Sequence, residues 1–169
     1  MTTEGYICHQ CGEFHEGPPL SYGSAAPAKW YAIPEKERKR RTHLSSDQCE
    51  IDGRDFYIIG TIDIRLIDVP GRFQWTVWVS LSKTNYDRAC KLWHQRGREQ
   101  EPPYFGWLST SLTPYPETLN LKAQVHTRPV GIRPFVELEP TDHPLAVEQR
   151  NGITMERVRE IAEYLIHQE

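Results

Sequence analysis

Two runs of alternating apolar residues, joined by a short turn, constrain the fold of this chain more than any other feature. The turn carries Pro70 and Gly71, which suit the second and third positions of a type II turn, because proline fixes φ and glycine accepts a positive φ. A period of two places the apolar side chains on one face of each strand. We therefore predict a long antiparallel hairpin with one inward row of Phe56, Ile58, Ile62, Ile64 and Leu66 and a second of Phe73, Trp75, Val77, Val79 and Leu81.

Further helices and strands are predicted on both sides of this hairpin. Apolar residues recur at helical spacing after the hairpin and near the C-terminus, where Thr154 is the expected N-cap of the last helix. Helices are predicted at about 25–31, 34–41, 86–96 and 155–166, and strands within 119–128 and 132–138; the class of 104–108 is left open. Short turns rather than helical crossovers connect the strands. The expected fold is therefore α+β, with a mostly antiparallel sheet and helices packed on one face.

Length and charge limit the classes of protein to which the chain belongs. With 169 residues, it is expected to form a single domain, 1–169, in which 1–53 is an irregular zinc-binding segment and 54–169 holds the sheet and helices. Its 20 Lys and Arg against 23 Asp and Glu leave a net charge of −3, which argues against a nucleic acid partner. No apolar run reaches the roughly 18 residues of a membrane span, and the first residues lack a secretory signal. A soluble, cytoplasmic protein is expected, with no membrane partner.

One motif carries metal chemistry. Cys8 and Cys11, separated by two residues and followed by Gly12, form the pattern of a zinc knuckle, in which a tight turn points two sulfurs at one ion. A tetrahedral site needs four ligands, and Cys49 is the expected third because it lies where the irregular segment meets the first long strand. For the fourth ligand we prefer His15, and leave open His43, Asp47 and His143.

Other roles for these cysteines are less favoured. A Cys8–Cys11 disulfide is disfavoured in a reducing compartment, and a redox pair would need the motif at the start of a helix, which the following residues do not form. Cys90 lies on the apolar stripe of its helix and is expected to be a core residue. Three thiolates would weaken the Lewis acidity of zinc, and no H-E-x-x-H or H-x-E signature accompanies the knuckle. Zinc is thus expected to be structural.

Residues outside the metal motif lead to three functional hypotheses, of which contact of the basic run 36–41 with a nucleic acid is the least favoured. In the first, Trp78 and Arg133 lie on the sheet face opposite the core row and bind another protein, because Trp and Arg are enriched at interface hot spots; the alternative is that other segments cover this face as a second core. In the second, Trp78, Trp107, Arg133 and His143 line the pocket of a metal-dependent or His-based hydrolase. A non-catalytic protein-binding or regulatory module, including a toxin-neutralising one, is preferred. Asp142 is the expected N-cap of a helix whose first turn contains His143, and the basic run 36–41 is expected to be a solvated helix end.

Six short motifs, taken together and in order, resemble a known family over nearly the whole chain. They are Cys8-x-x-Cys11-Gly12-x-x-His15, Ser46-Asp47-x-Cys49-x-Ile51-Asp52, Trp75-x-x-Trp78-Val79-Ser80-Leu81-Ser82, Tyr104-x-Gly106-Trp107-Leu108, Arg133-Pro134 and His143-Pro144-Leu145-Ala146. This order is similar to that of the bacterial family called domain of unknown function 2199. The resemblance implies that Cys8, Cys11, His15 and Cys49 belong together and that Trp78, Trp107 and His143 lie in signature segments. It implies no activity.

Overall fold

The structure, a computed structural model, describes residues 5–168. The predicted domain bounds 1–169 thus include residues 1–4 and 169, which lie outside the described residues. The strands are β1 (Tyr6–Ile7), β2 (Phe14–His15), β3 (Ser21–Gly23), β4 (Thr42–Leu44), β5 (Gln48–Ile51), β6 (Asp55–Arg65), β7 (Arg72–Leu81), β8 (Tyr104–Leu108), β9 (Lys122–His126) and β10 (Phe135–Leu138). The helices are α1 (Ala28–Ala32), α2 (Glu35–Arg41), α3 (Lys83–Leu92), α4 (Pro144–Asn151) and α5 (Met155–Ile166).

The predicted hairpin is confirmed as β6 and β7, which pair antiparallel from Phe56↔Leu81 to Arg65↔Arg72. Gly71 has φ +113°, the positive value expected in the connecting turn. From β7 the sheet continues through β8, β9 and β10 in antiparallel order, and the segment 104–108 is therefore a strand. The α+β class and the mainly antiparallel pairing agree with the sequence prediction.

The sheet closes on itself, which the sequence analysis did not predict. β10 returns to β6 through one parallel pairing, Phe135↔Thr61, so that β6 to β10 form a closed five-stranded barrel. Gly60 makes this closure sterically feasible, since a Cβ there would lie 2.6 Å from the Val136 side chain and 2.9 Å from the Pro134 carbonyl oxygen. The Thr61 amide then donates to the same Pro134 oxygen at 2.9 Å.

Apolar clusters lie on both faces of the barrel wall, so helices on one face describe only part of the fold. The inward rows of the five strands share one apolar cluster with buried residues of α3, α4 and α5. A second cluster on the outer side joins Ile33, Cys49, Ile51, Tyr57, Ile59 and Trp78, with Trp30 of α1 packed against it. The face that the sequence analysis offered as an interface is thus, around Trp78, a second core.

Residues 5–53, the described part of the predicted irregular segment, are more regular than expected. β3 pairs with β7, and β4 and β5 extend the sheet from β6, while β1 and β2 form a separate two-stranded hairpin. At the other end, Thr154 caps α5 as predicted, by accepting from the Arg157 amide. α4 is capped by His143 instead of Asp142. Over residues 5–168, each helix falls short of the length and apolarity that crossing a membrane would require.

Candidate metal centre and exposed aromatic patch

The predicted knuckle forms the tip of the β1–β2 hairpin. Tyr6 pairs with His15 and Ile7 with Phe14, which turns His15 back towards the cysteines. The Cys8 amide donates to the Glu13 carbonyl and the Gly12 amide to the Cys8 carbonyl, each at 2.9 Å. Gly12 has φ +72°, as expected for the residue that tightens this turn. Two residues per strand are too few to be stable alone, so the hairpin needs other contacts to hold it.

The tip brings together three ligand groups for a metal ion. The sulfurs of Cys8 and Cys11 and a ring nitrogen of His15 all lie within 4.8 Å of one another. Cys11 Sγ and His15 Nε2 are 3.4 Å apart, close to the spacing of about 3.5 Å that two ligands have around tetrahedral zinc at usual bond lengths. Two sulfurs and one imidazole are a donor set typical of zinc. The residues present therefore fit a metal ion.

The protein environment prepares one of the thiols as a ligand. Burial raises the pKa of the Cys8 thiol, but hydrogen bonds from the Cys11 and Gln10 amides and from His167 outweigh it and lower the pKa to about 6. The Gln10 amide lies 3.4 Å from Cys8 Sγ and His167 Nε2 lies 3.3 Å from it. Cys8 is therefore largely a thiolate at neutral pH, and the thiolate is the form that binds metal.

The second thiol behaves differently. A hydrogen bond from the Glu13 amide lowers the pKa of Cys11, but burial and the adjacent Cys8 sulfur raise it, and the net result is a raised pKa. Binding a cation between the two sulfurs would favour loss of the remaining proton. Of the two thiols, Cys8 thus has the lower pKa, and Cys11 holds the proton that a bound metal ion would displace.

The hairpin is docked on the C-terminal half of α5. Tyr6 and Cys8 share a small buried cluster with Ala162, and the His9 amide donates to the buried Glu163 carboxylate at 3.0 Å. A cavity of about 290 Å³ lies at this junction and is lined by Tyr6, Ile7, His9, Glu156, Arg159, Glu160 and Glu163. Glu163 and His167 were missed by the sequence analysis, because no short motif links them to the cysteines.

Cys49 does not join this group. It is fully buried in the second apolar cluster, beside Ile51 and Tyr57, and burial raises the pKa of its thiol to about 12. A neutral thiol in an apolar core is a packing residue. The expectation that Cys49 is the third ligand, drawn from its place in the sequence and from the family resemblance, is thus corrected: the described cluster holds His15 in addition to the two knuckle cysteines.

The three remaining candidates for the fourth ligand also lie elsewhere. His43 is an exposed residue of β4 and pairs across the strands with Glu50. Asp47 accepts from Arg133 Nε at 3.4 Å, so Arg133 forms an ion pair with it. His143 uses both ring nitrogens: Nδ1 accepts from the Leu145 amide at 3.1 Å and Nε2 donates to the Glu117 carbonyl at 3.0 Å. The structure thus gives His143 a capping role.

Trp78 and Trp107 are placed very differently, although both were predicted binding residues. Trp78 has no exposed surface, and its indole Nε1 donates to the Ser24 carbonyl at 2.9 Å. Trp107 projects from the outer side of β8 and is 41% exposed. Trp78 therefore anchors the N-terminal segment to the barrel, while Trp107 faces solvent.

Trp107 belongs to an aromatic patch, which we define as Phe105, Trp107 and Lys122. The two rings meet edge to face with centroids 5.2 Å apart, and the Lys122 Nζ lies 5.8 Å from the Trp107 ring centroid. Phe105, which the sequence analysis did not single out, is 43% exposed. A cavity of about 240 Å³ beside it is also lined by Gln124, Glu137 and Glu139. If the segment 104–108 had been predicted as a strand, its period of two would have placed Phe105 and Trp107 on the same face.

Comparison with known proteins identifies the family of the chain. The profile of a family described as an uncharacterised protein conserved in bacteria, DUF2199, matches residues 7–153. No match was found among curated proteins or among solved structures. Because the profile covers most of the chain, the chain belongs to this family, as its motifs indicated.

Proposed function

We propose that this member of the DUF2199 family is a zinc-stabilised, non-catalytic module of the cytoplasm that binds another protein in a regulatory role, of which neutralising a toxin is one form. The observation that carries the proposal is the exposed aromatic patch of Phe105 and Trp107 on a rigid strand of the barrel. The second part of the proposal is a zinc ion at the knuckle.

The patch has the chemistry of a protein-binding surface. Large aromatic residues are enriched at interface hot spots and depleted from ordinary surface. β8 is hydrogen-bonded on both sides, to β7 and β9, so the rings are held on a rigid scaffold and binding would order few side chains. Polar groups surround the rings, as in the rim of an interface.

The charges near the patch favour a protein over a nucleic acid. Lys122 is the cation of the patch, whereas Glu137 and Glu139 line the adjoining cavity. Carboxylates at this position would repel phosphates, and nucleic acid binding depends on an excess of Lys and Arg. The proposed partner therefore presents an apolar or mixed-charge protein surface.

Zinc at the knuckle is proposed to be structural. The hairpin that carries Cys8, Cys11 and His15 has too little paired backbone to be stable alone, and its docking on α5 is small. A metal ion supplies the missing free energy in small domains of this kind. Its effect is to hold residues 5–15 against α5.

Site-specific cross-linking tests the protein-binding part. A photo-cross-linking amino acid replaces Phe105, and as the matched control it replaces Tyr31, which is exposed elsewhere on the molecule. We expect a cross-linked protein from position 105 but not from position 31. Trp107→Ala should weaken capture by at least about tenfold, the effect of losing roughly 1.4 kcal/mol at a hot spot.

Two outcomes would contradict this part of the proposal. Equal cross-linking from both positions would mean that contact with the patch is non-specific. Cross-linking of RNA or DNA from position 105 would assign the patch to nucleic acid. A competition experiment completes the test. Added wild-type protein without the cross-linker should suppress cross-linking from position 105, whereas added Trp107→Ala protein should not.

Metal analysis tests the zinc part. We expect one zinc per chain in the wild type, loss of zinc in Cys8→Ala and weaker binding in His15→Ala, since both residues belong to the described cluster. Cys90→Ala is the control, because Cys90 packs against the main core. If Cys8→Ala keeps its zinc, the knuckle is not the metal site.

A further inference from the structure

We infer that His167 is the fourth ligand of the metal ion and closes the knuckle as a Cys2His2 site. The inference rests on the proposed zinc site and adds to it a residue from the opposite end of the chain, 159 positions from Cys8. His167 also lies beyond residues 7–153, the part that the family profile matches.

The spacing of the ligand atoms carries the inference. His167 Nε2 lies 3.3 Å from Cys8 Sγ, and His15 Nε2 lies 3.4 Å from Cys11 Sγ. Each sulfur therefore has one imidazole nitrogen beside it, at nearly the separation of about 3.5 Å that tetrahedral zinc imposes on a sulfur and a nitrogen. The same ring nitrogen, Nε2, faces the site in both histidines.

The chain positions His167 through the end of α5. His167 is the C-cap residue, and its amide donates to the Glu163 carbonyl at 3.3 Å. One turn earlier, the Glu163 carboxylate accepts from the His9 amide, and Ala162 packs against Cys8. The helix that receives the hairpin therefore presents an imidazole to the knuckle sulfur.

His167 has still to move to complete the tetrahedron. It stands outside the group of Cys8, Cys11 and His15, whose ligand atoms all lie within 4.8 Å of one another. Its side chain is exposed, so few neighbouring atoms hinder a rotation of the His167 ring towards Cys11 and His15. A metal ion held by Cys8, Cys11 and His15 would attract the ring nitrogen in this direction.

Neighbouring groups are worse placed for the fourth position. The Glu163 carboxylate already accepts from the His9 amide at 3.0 Å and lies 3.8 Å from the His9 ring. The His9 side chain itself is 79% exposed and faces Glu163. With His167 as ligand, four protein groups surround the ion and no position remains for a water molecule, which is the pattern of structural zinc.

Cobalt, which replaces zinc in tetrahedral sites and is coloured, tests the inference. Metal-free wild type, His167→Ala, His167→Cys and the control His9→Ala are titrated with Co²⁺. His9 is the matched control because it lies in the same hairpin and touches α5 through its backbone amide. His167→Cys would add a third thiolate to the ion, so we expect its thiolate-to-metal charge-transfer band to exceed that of the wild type by about half.

The affinity gives a second readout. Removal of a ligand should cost at least the 10- to 100-fold that loss of an orienting partner typically costs, so we expect His167→Ala to bind Co²⁺ at least about tenfold more weakly. His9→Ala should match the wild type in both band and affinity. If His167→Ala does not fold, His167→Cys still decides the question, because its extra thiolate shows only if residue 167 reaches the ion.

The outcomes separate this inference from the proposed site. If wild type and His9→Ala bind Co²⁺ with two-thiolate spectra, and His167→Cys adds no charge-transfer intensity, the role of His167 is overturned and the knuckle site stands. Unchanged affinity in His167→Ala overturns it as well. If the wild type binds neither Co²⁺ nor zinc, the site and the role of His167 fall together.

Discussion

Two hairpins of the same chain depend on different forces. The β6–β7 hairpin pairs ten residues on each strand and buries its inward row in a cluster that includes Phe73, Trp75 and Val77. The β1–β2 hairpin pairs two residues on each strand, and of its apolar side chains Ile7 and Phe14 are exposed. The first is stabilised by apolar burial, whereas the second has its contacts with α5 and, in the function proposed above, a metal ion. A short hairpin can thus be held in place without a core of its own.

Removal of the same side chain from each hairpin should show the largest difference. Phe73→Ala deletes a fully buried ring and should lower the free energy of unfolding by about 3–5 kcal/mol, because a cavity remains in the core. Phe14→Ala removes a ring that is 65% exposed and should change the free energy of unfolding by less than about 0.5 kcal/mol. Urea unfolding followed by tryptophan fluorescence measures both. Equal effects would contradict the proposed division of forces.

Obstruction of the barrel closure should have the next largest effect. In Gly60→Val the new side chain would meet Val136 and the Pro134 carbonyl, where even a Cβ lies within 3 Å of each, so β10 must move away from β6. We expect a loss of about 1–3 kcal/mol, typical of overpacking. Gly53→Ala is the control for a glycine with open space around it, although its φ of +60° adds some backbone strain. If Gly60→Val lowers the free energy of unfolding no more than Gly53→Ala does, the barrel closure tolerates a side chain at position 60.

Removal of the metal should act locally. Chelation is expected to expose the amides of residues 5–15 and of the end of α5 to hydrogen exchange, because these segments are joined at the knuckle. The amides of β6 and β7 should keep their protection, since their core is independent of the metal site. The urea midpoint should shift less than in Gly60→Val. Loss of protection throughout the barrel would show that the metal stabilises the whole fold.

Acid should lower the stability of the barrel through one carboxylate, and this is the smallest of the four effects predicted here. Hydrogen bonds from Arg88 of α3 and Tyr104 of β8 lower the pKa of Glu101 to about 2, whereas an unperturbed Glu titrates near about 4.3. A folded pKa below the unfolded one means that the contribution is complete above about pH 4.3 and is lost as the pH falls through about 2. Glu101→Gln should therefore destabilise the protein more at pH 6 than at pH 2.5. A pH-independent difference in the urea midpoint would contradict this.

The sequence predicts the elements whose contacts are local. The alternation in β6 and β7 and the helical spacing in α3 and α5 follow from the side chains of each segment alone. Closure of the barrel does not, because it depends on one pairing between Thr61 and Phe135, which are 74 positions apart, and on the absence of a side chain at Gly60. Without this contact, β6 to β10 would form an antiparallel sheet that does not close.

The candidate metal site divides in the same way. Cys8, Cys11 and His15 lie within eight residues, and the turn that gathers them is encoded by their spacing and by Gly12. Cys49 was assigned from its position between two segments, but β5 lies beside β6 and its alternation places Cys49 in the second apolar cluster, on the outer side of the barrel wall. His167 has no sequence signal at all, since only the docking of α5 brings it to Cys8.

The closed barrel also affects how the protein meets copies of itself. At each end of the main sheet the outermost strand, β3 or β4, is only three residues long. An incoming extended chain would find few unpaired amides and carbonyls on which to extend the sheet, and short edges of this kind protect natural β-proteins from aggregating edge to edge. The architecture therefore disfavours fibril growth by strand addition.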